Sequence, residues 1–225
     1  MLPLSISVSN LELYRMWRES EDLELDWLLR RLRGEEPQTE NMLAGIAMHS
    51  ALEAAEIGES MCLVFDGYKF YFKCDGNLEL PTCRELPMEK QYGNLTVRGR
   101  VDGLHGRSVT DYKSTQSFDA DRLLEGFQWR FYLDMLECDR FNWKVFVLAE
   151  RFFHEYDIIQ IHDLSQYRYA GLADDCARLA EDFAQFAGQL DQSGISWAKT
   201  VVPENRLEQQ LRDSIARVPR AEIPQ

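Results

Sequence analysis

The chain of 225 residues lacks the features that mark several specialised classes of protein. No apolar run approaches the roughly 20 residues that a membrane-spanning helix needs, so we expect no contact with a membrane. No Gly/Ser/Pro-rich linker and no internal repeat divides the chain. The N-terminus shows no basic segment followed by an apolar core, so no secretory signal is expected. We therefore predict a cytoplasmic protein, or one in the host cytoplasm if a phage encodes it.

Cysteine is sparse and irregularly placed. The five residues are Cys62, Cys74, Cys83, Cys138 and Cys176, and no Cys-x-x-Cys pair occurs among them. The number is odd and the spacings are not those of a zinc site. We expect reduced thiols, as in most cytosolic proteins.

Basic residues are also fewer than acidic residues in this chain. The chain has 25 Lys and Arg against 38 Asp and Glu, a net charge of −13, which argues against a protein that coats nucleic acid through bulk charge. A local basic groove remains compatible with this balance. The hydrophobic content of 45% and the aromatic content of 12% are those of a globular protein. The length predicts one domain over residues 1–225.

The periodicity predicts helices at both ends of a region rich in strands. The expected elements are N-terminal helices at about 9–34, a helix from Thr39 to Glu59, a hairpin turning at Asp66-Gly67, strands within 84–113, one helix from Asp119 or Asp121 to Cys138, strands at 142–149 and 153–162, and a C-terminal helical appendage at about 166–220. One central mixed sheet flanked by helices is the simplest architecture for this order.

Two short segments place carboxylates at the ends of neighbouring predicted strands. Gly-Arg-Val-Asp-Gly contains Asp102, and Val-Thr-Asp-Tyr-Lys-Ser contains Asp111 and Lys113. Residues two apart on a strand project from the same face, so Asp111 and Lys113 should lie together with Asp102 nearby. Oxygen ligands of this kind suit Mg²⁺ or Mn²⁺.

A third segment, Met-His-Ser-Ala-Leu-Glu, places His49 and Glu53 four residues apart on the preceding helix. A metal ion at such a site polarises a phosphoryl oxygen and activates a water molecule. Lys113 could orient that water or stabilise the negative charge of the transition state. The set fits phosphodiester hydrolysis. Each residue also fits an ordinary structural role, for example a turn aspartate before Gly103 or a histidine satisfied within its helix.

A fourth element follows the lysine strand, with Gln128 and Tyr132 four apart on the next predicted helix. The ordered set is Gly45…His49…Glu53, Asp102-Gly103, Asp111-Tyr112-Lys113 and Gln128-x-x-x-Tyr132. Over roughly residues 5–165 the chain resembles the PD-(D/E)XK nuclease superfamily, in particular the branch of RecB-type nucleases and phage recombination exonucleases. The resemblance implies an α/β (α+β) fold with a restriction-endonuclease-like αβββαβ core. It also implies a divalent-metal-dependent exonuclease acting on linear DNA, single strands included, in recombination, repair or DNA processing.

The resemblance also implies a role for each residue of the set. The implied ligands of Mg²⁺ or Mn²⁺ are His49, Asp102, Asp111 and the Tyr112 carbonyl, with Glu53 supporting His49 or a second ion. The other implied roles are catalysis by Lys113, positioning by Gln128 and Tyr132, and phosphate contact by Ser114 and Thr115.

Two motifs of the wider family are absent from the sequence. Iron–sulfur members place one cysteine before the histidine helix and three near the C-terminus, whereas here none precedes Cys62 and only Cys176 lies late. No iron–sulfur cluster is therefore expected. No Gly-x-x-x-x-Gly-Lys-Ser/Thr motif occurs either, so any unwinding would come from a partner, such as a helicase or an annealing protein. Assembly into a homo-oligomer is a further possibility that the sequence leaves open.

Two arginine clusters are candidate DNA contacts. Arg98 and Arg100 alternate with Asp102 along one strand, and Arg30 and Arg31 lie in the second helix. Ordinary solvent-facing arginines would show the same pattern. A structure-specific endonuclease on the same fold is one alternative. Another is a non-catalytic interaction protein whose acidic surface mimics DNA.

Overall fold

The structure is a computed structural model and describes residues 4–55, 62–74, 81 and 83–197. In chain order its elements are β1 (Leu4–Ser7), α1 (Val8–Glu19), α2 (Leu25–Arg33), α3 (Glu40–Ala54), β2 (Cys62–Phe65), β3 (Tyr68–Phe72), β4 (Cys83–Tyr92), β5 (Leu95–His105), β6 (Ser108–Thr115), α4 (Ala120–Glu125), α5 (Gln128–Leu136), β7 (Arg140–Phe152), β8 (Glu155–Tyr167) and α6 (Leu172–Gln192).

The strands of the described residues form one mixed sheet in the order β1-β5-β6-β7-β8-β3-β2, with β4 paired to β5. The pairs β1–β5, β6–β7 and β3–β8 are parallel, and the others are antiparallel. The expected order of one helix, three strands, one helix and one strand is present as α3–β4–β5–β6–α5–β7, with the β2–β3 hairpin and α4 added. The predicted central mixed sheet flanked by helices is confirmed.

Helices pack on both sides of this sheet. Val145 and Phe146 are consecutive on β7 and so point to opposite sides. Val145 belongs to a core that includes residues of α1, α2, α5 and α6, and Phe146 to a second core beneath α3. The buried face of α3 is rich in small residues, such as Ala44, Ala47 and Ala51, which let this helix lie close to the strands. In the part of the chain that is described, no helix has both the length and the apolar character needed to cross a bilayer.

Capping and turn residues in the sequence predicted the ends of several of these elements correctly. Thr39 caps α3 by accepting a hydrogen bond from the Met42 N–H at 3.3 Å. The β2–β3 turn has positive φ angles at Asp66 (48°) and Gly67 (83°), as a type I′ turn requires. Residues 56–59, which the sequence assigned to the end of the helix, lie outside the described residues.

The single helix expected from Asp119 to Cys138 is wrong, because the chain forms two helices there. The backbone leaves the helical conformation at Gly126, with φ −57° and ψ 155°. The Phe127 N–H then donates to the Glu12 carboxylate of α1 at 2.6 Å. This long-range acceptor satisfies an N–H that a continuous helix would have bonded internally. The second helix, α5, begins at Gln128 as a consequence.

The C-terminal helical appendage begins later than the predicted residue 166. Gln166 and Tyr167 still belong to β8, because that strand pairs with β7 as far as its first residue. Helix α6 starts at Leu172, directly after Gly171, whose φ is +91°. The part of the predicted appendage from residue 198 to 220 lies outside the described residues.

Strand β1 is absent from the sequence-based assignment, which begins with a helix. Leu4–Ser7 pairs in parallel with Leu95–Arg98 of β5. Helix α1 follows at once, and the Ser7 hydroxyl caps it by accepting from the Asn10 N–H at 3.2 Å. This pairing brings the first turn of α1 beside Arg98, where both line the same cleft.

Candidate active site

The backbones of β5 and β6 separate where the predicted acidic residues lie. The two strands pair only over residues 103–105 and 108–110. Beyond that point the Tyr112 N–H of β6 donates to Asp102 Oδ2 at 2.7 Å. A side-chain carboxylate therefore replaces a backbone acceptor between the strands, and the gap opens room for a cleft.

Asp111 and Lys113 lie on one face of β6, as alternation along a strand predicts. The Lys113 Nζ atom is 3.1 Å from Oδ1 and 2.9 Å from Oδ2 of Asp111. Asp111 is buried, with 3% of its surface exposed. A buried carboxylate needs a charged partner, and Lys113 supplies one.

Helix α3 brings His49 to the same place. Its Nδ1 atom is 3.4 Å from Asp102 Oδ2. His49, Asp102, Asp111 and Lys113 together line one cleft of about 420 Å³. Two strands and a helix therefore deliver four of the predicted residues to a single cavity.

Helix α5 closes another side of this cleft with Gln128 and Tyr132. The Gln128 Nε2 atom is 3.5 Å from the Tyr132 hydroxyl. The Tyr132 ring packs on the backbone of Gly99 in β5, where a Cβ atom would lie 2.5 Å from the ring. Only glycine at position 99 allows Tyr132 to come this close.

The electrostatics of the cleft follow from burial and from the closeness of its charges. Burial, reinforced by the Asp111 charge, raises the pKa of Asp102 to about 7. Burial also lowers the pKa of His49, against an opposing effect of Asp111. Burial alone would lower the pKa of Lys113, but the nearby Asp111 and Asp102 carboxylates together outweigh it and the pKa is raised. Near neutral pH His49 is therefore a neutral imidazole and Lys113 a charged ammonium. Asp102 is partly protonated at this pH.

The junction of β1 and α1 also lines the cleft, through Ser7 at the end of β1 and Ser9 in the first turn of α1, and sequence reasoning missed this contribution. Arg98 and Arg100 line the same side. The Arg100 guanidinium forms an ion pair with Glu85 at 2.7 Å. No local pattern could have revealed the role of the serines, because it depends on β1 pairing with a strand far along the chain.

Six of the predicted site residues do not line this cleft: Arg30, Arg31, Glu53, Tyr112, Ser114 and Thr115. Glu53 is exposed in the last turn of α3. On α2, Arg30 pairs with Asp26 at 3.0 Å and Arg31 pairs with Glu36 at 2.9 Å. These local ion pairs fit the solvent-facing interpretation of that cluster.

Ser114 and Thr115 line a second cavity, which shares no lining residue with the cleft. The Thr115 hydroxyl donates to the Ser117 carbonyl at 2.7 Å. A Cβ atom at Gly45 of α3 would lie 3.0 Å from the Ser114 hydroxyl oxygen, so glycine allows the helix to approach the end of β6.

Within the described residues, no group of three His, Cys, Asp or Glu side chains is positioned to hold a metal ion as it stands. The chemistry of the donors in the cleft nevertheless fits a divalent cation: a neutral imidazole and two carboxylates. Asp111 Oδ2 is buried and makes no hydrogen bond, with only the Lys113 ammonium in ion-pair contact. For Asp111 to bind a cation, the Lys113 ammonium would have to move away from the Asp111 carboxylate.

Solved structures align with this chain over most of its length at low sequence identity. No protein-family model and no curated protein matches the chain. The protein named SSO0001 aligns over 96% of this chain and 86% of its own, at 16% identity and a TM-score of 0.48. A protein of Eubacterium rectale named "putative exonuclease" aligns over 98% of this chain and 91% of its own, at 8% identity and a TM-score of 0.49.

Proposed function

We propose that this protein is a divalent-metal-dependent DNA exonuclease of the PD-(D/E)XK type, acting on linear DNA. The observation that carries the proposal is the convergence of Asp102, Asp111, Lys113 and His49 on one cleft. The likeness of its motifs to RecB-type and phage recombination nucleases suggests a setting in DNA recombination, repair or processing. A helicase, an annealing protein or a second copy of the chain would be its partner.

His49, Asp102 and Asp111 would hold Mg²⁺ or Mn²⁺, together with the Tyr112 carbonyl. When bound, such an ion polarises a phosphoryl oxygen and lowers the pKa of a water molecule. Lys113 carries three N–H donors on a flexible stem. Once Asp111 no longer occupies its ammonium group, Lys113 can orient the attacking water or stabilise charge on the phosphate. Gln128 and Tyr132 would position the DNA backbone or Lys113.

Cationic side chains at the cleft would contact the phosphates of the substrate. Arg98 and Arg100 are exposed on the side of the cleft formed by β5 and the first turn of α1. They lie in a segment, residues 84–113, with six Lys and Arg against four Asp and Glu, inside a chain of net charge −13. Binding should therefore be weak and sensitive to salt. Arg30, Arg31, Ser114 and Thr115 remain further proposed contacts.

The proposal is tested with end-labelled linear DNA, single- and double-stranded, beside a closed circle of the same sequence. We expect the linear forms to release nucleotides with Mg²⁺ or Mn²⁺, and no reaction with EDTA. Cleavage of the circle would instead indicate an endonuclease on the same fold. Failure to cut any DNA with either ion would overturn the proposal and favour a non-catalytic protein.

Gly99→Ala tests the positioning of Tyr132 in this reaction. The added methyl group would overlap the Tyr132 ring and push it from its place against β5. We expect a loss of activity of about tenfold to a hundredfold, because small misplacements near a reacting group are costly. The assay is cleavage of linear DNA with Mg²⁺. Gly188→Ala on α6, where a Cβ atom meets no atom within 4 Å, is the matched control and should keep full activity.

A further inference from the structure

Glu12 of α1 holds the start of α5. Its Oε2 atom accepts a hydrogen bond from the Phe127 N–H at 2.6 Å. Phe127 is the N-cap residue of α5, and its own side chain makes no capping hydrogen bond. The first N–H groups of a helix need acceptors, and a carboxylate there also faces the positive end of the helix dipole. Glu12 therefore supplies from another helix a cap that the local sequence of α5 lacks.

Glu12 is itself held by Arg15, almost one turn further along α1. The Arg15 guanidinium donates to the other carboxylate oxygen, Oε1, from Nη2 at 2.7 Å and from Nε at 3.1 Å. Only 12% of the Arg15 side chain and 20% of the Glu12 side chain are exposed. An ion pair shielded from solvent in this way keeps its geometry better than one on the surface. One oxygen of Glu12 thus anchors the carboxylate on α1, and the other reaches α5.

Gln128 follows Phe127 directly and lines the cleft. It also lines a cavity of about 740 Å³ on the side of Glu12 and Gly126. That cavity leaves room for the first turn of α5 to shift once its contact with α1 is lost. Tyr132, one turn later, is 3% exposed and its ring stacks on Phe141. The place of Gln128 therefore depends on Glu12 more than the place of Tyr132 does.

We propose that Glu12 is a positioning residue of the nuclease, which holds Gln128 at the cleft through the hydrogen bond to Phe127. The inference rests on the proposed nuclease function. Glu12 does not line the cleft, so it acts on the reaction through the helix starts that it joins. Helix α1 lines the cleft through Ser9, and α5 lines it through Gln128. The contact between Glu12 and Phe127 thus fixes two walls of the cleft relative to each other.

The test compares Glu12→Ala, Gln128→Ala and the double variant in single-turnover cleavage of linear DNA with Mg²⁺. Without Glu12 the Phe127 N–H loses its acceptor and Gln128 shifts, so we expect the rate to fall about tenfold. Gln128→Ala should lower the rate about tenfold to thirtyfold. The double variant should be no slower than Gln128→Ala, because a side chain that acts through Gln128 has nothing left to position.

Glu12→Gln tests whether the hydrogen bond carries the effect. Its amide oxygen can still accept from the Phe127 N–H, so the rate should lie within about threefold of the wild type. Glu12→Asp keeps the charge but has a side chain one methylene shorter. It should lose rate as Glu12→Ala does, and it replaces the alanine variant if that protein does not fold.

Glu19→Ala is the matched control. Glu19 is an exposed residue of the same helix, pairs with the same Arg15 and does not line the cleft. Its removal changes the net charge as Glu12→Ala does but leaves the Phe127 N–H with its acceptor. The control should therefore cleave DNA as the wild type does. Melting temperatures of all variants show that each is folded at the temperature of the assay.

A folded Glu12→Ala protein with the wild-type rate would overturn the inference, because a purely structural cap lowers the melting temperature alone. Losses that multiply in the double variant would also overturn it, and so would a Glu12→Gln protein as slow as Glu12→Ala. In each of these cases the wild type still cuts linear DNA, so only this inference fails. If the wild type cuts no DNA with either ion, the proposed function fails and the inference falls with it.

Discussion

Replacing Lys113 with alanine is expected to lower the rate of Mg²⁺-dependent DNA cleavage by about 10²–10³-fold. The reason is that Lys113 is the cationic side chain of the cleft that pairs with Asp111, at 2.9 Å, whereas Arg98 and Arg100 line the side formed by β5. Without it, neither the attacking water nor the developing charge has an ammonium donor. The measurement is single-turnover cleavage of linear DNA at saturating enzyme, which separates the chemical step from substrate binding.

Lys69→Ala is a suitable control for this experiment. Lys69 lies on β3, outside the cleft, and pairs with the half-buried Glu155 at 3.0 Å. Its removal should leave cleavage unchanged. Metal binding by Lys113→Ala should be retained or strengthened, because the ammonium no longer competes for Asp111. A Lys113→Ala protein that keeps more than a tenth of the wild-type rate would contradict the proposed mechanism.

Asp102→Asn is expected to abolish cleavage and yet to stabilise the metal-free protein at pH 8. Burial, with the nearby charge of Asp111, disfavours the ionised form of Asp102 and raises its pKa to about 7. At pH 8 the wild type must hold this unfavourable charge. An asparagine can still accept the hydrogen bond that the Tyr112 N–H makes to Asp102. We expect a gain of about 2 kcal/mol in the free energy of unfolding at pH 8 in EDTA.

The pH dependence of this gain has a definite sign. Between the pKa of an unfolded aspartate, about 4, and the raised pKa of about 7 for Asp102, the folded wild type binds more protons than the unfolded chain. Its stability therefore increases as the pH falls, and the advantage of Asp102→Asn should shrink toward pH 5. Denaturant unfolding at pH 5, 6.5 and 8 in EDTA measures the effect.

Mg²⁺ should reverse the ranking at pH 8. The wild type would gain stability from the bound ion, whereas Asp102→Asn lacks a ligand and would gain little. Asp139→Asn serves as the control, because Arg107 hydrogen-bonds Asp139 and lowers its pKa, so that its replacement should bring no gain. A metal-free Asp102→Asn protein less stable than the wild type at pH 8 would contradict the assigned pKa shift.

The candidate site could be predicted from the sequence where its arrangement depends on local geometry. Asp111 and Lys113 share a face of β6 because side chains alternate along any strand. Thr39 and Asp66-Gly67 marked real element boundaries because caps and tight turns are set by a few neighbouring residues. Glu53 shows the limit of this reasoning. Helical spacing links it to His49, but α3 exposes Glu53 at its end and turns His49 toward the cleft.

What the sequence determined by itself is the set of reactive side chains, their order and the local elements that carry them. The tertiary structure decided what depends on distant pairing and on burial. It placed Ser7 and Ser9 beside Arg98 through the pairing of β1 with β5. It interrupted the expected helix at Gly126, because the Phe127 N–H donates a hydrogen bond to the Glu12 carboxylate of α1. It also set the pKa of Asp102, because desolvation and the closeness of two carboxylates exist only once the strands have come together.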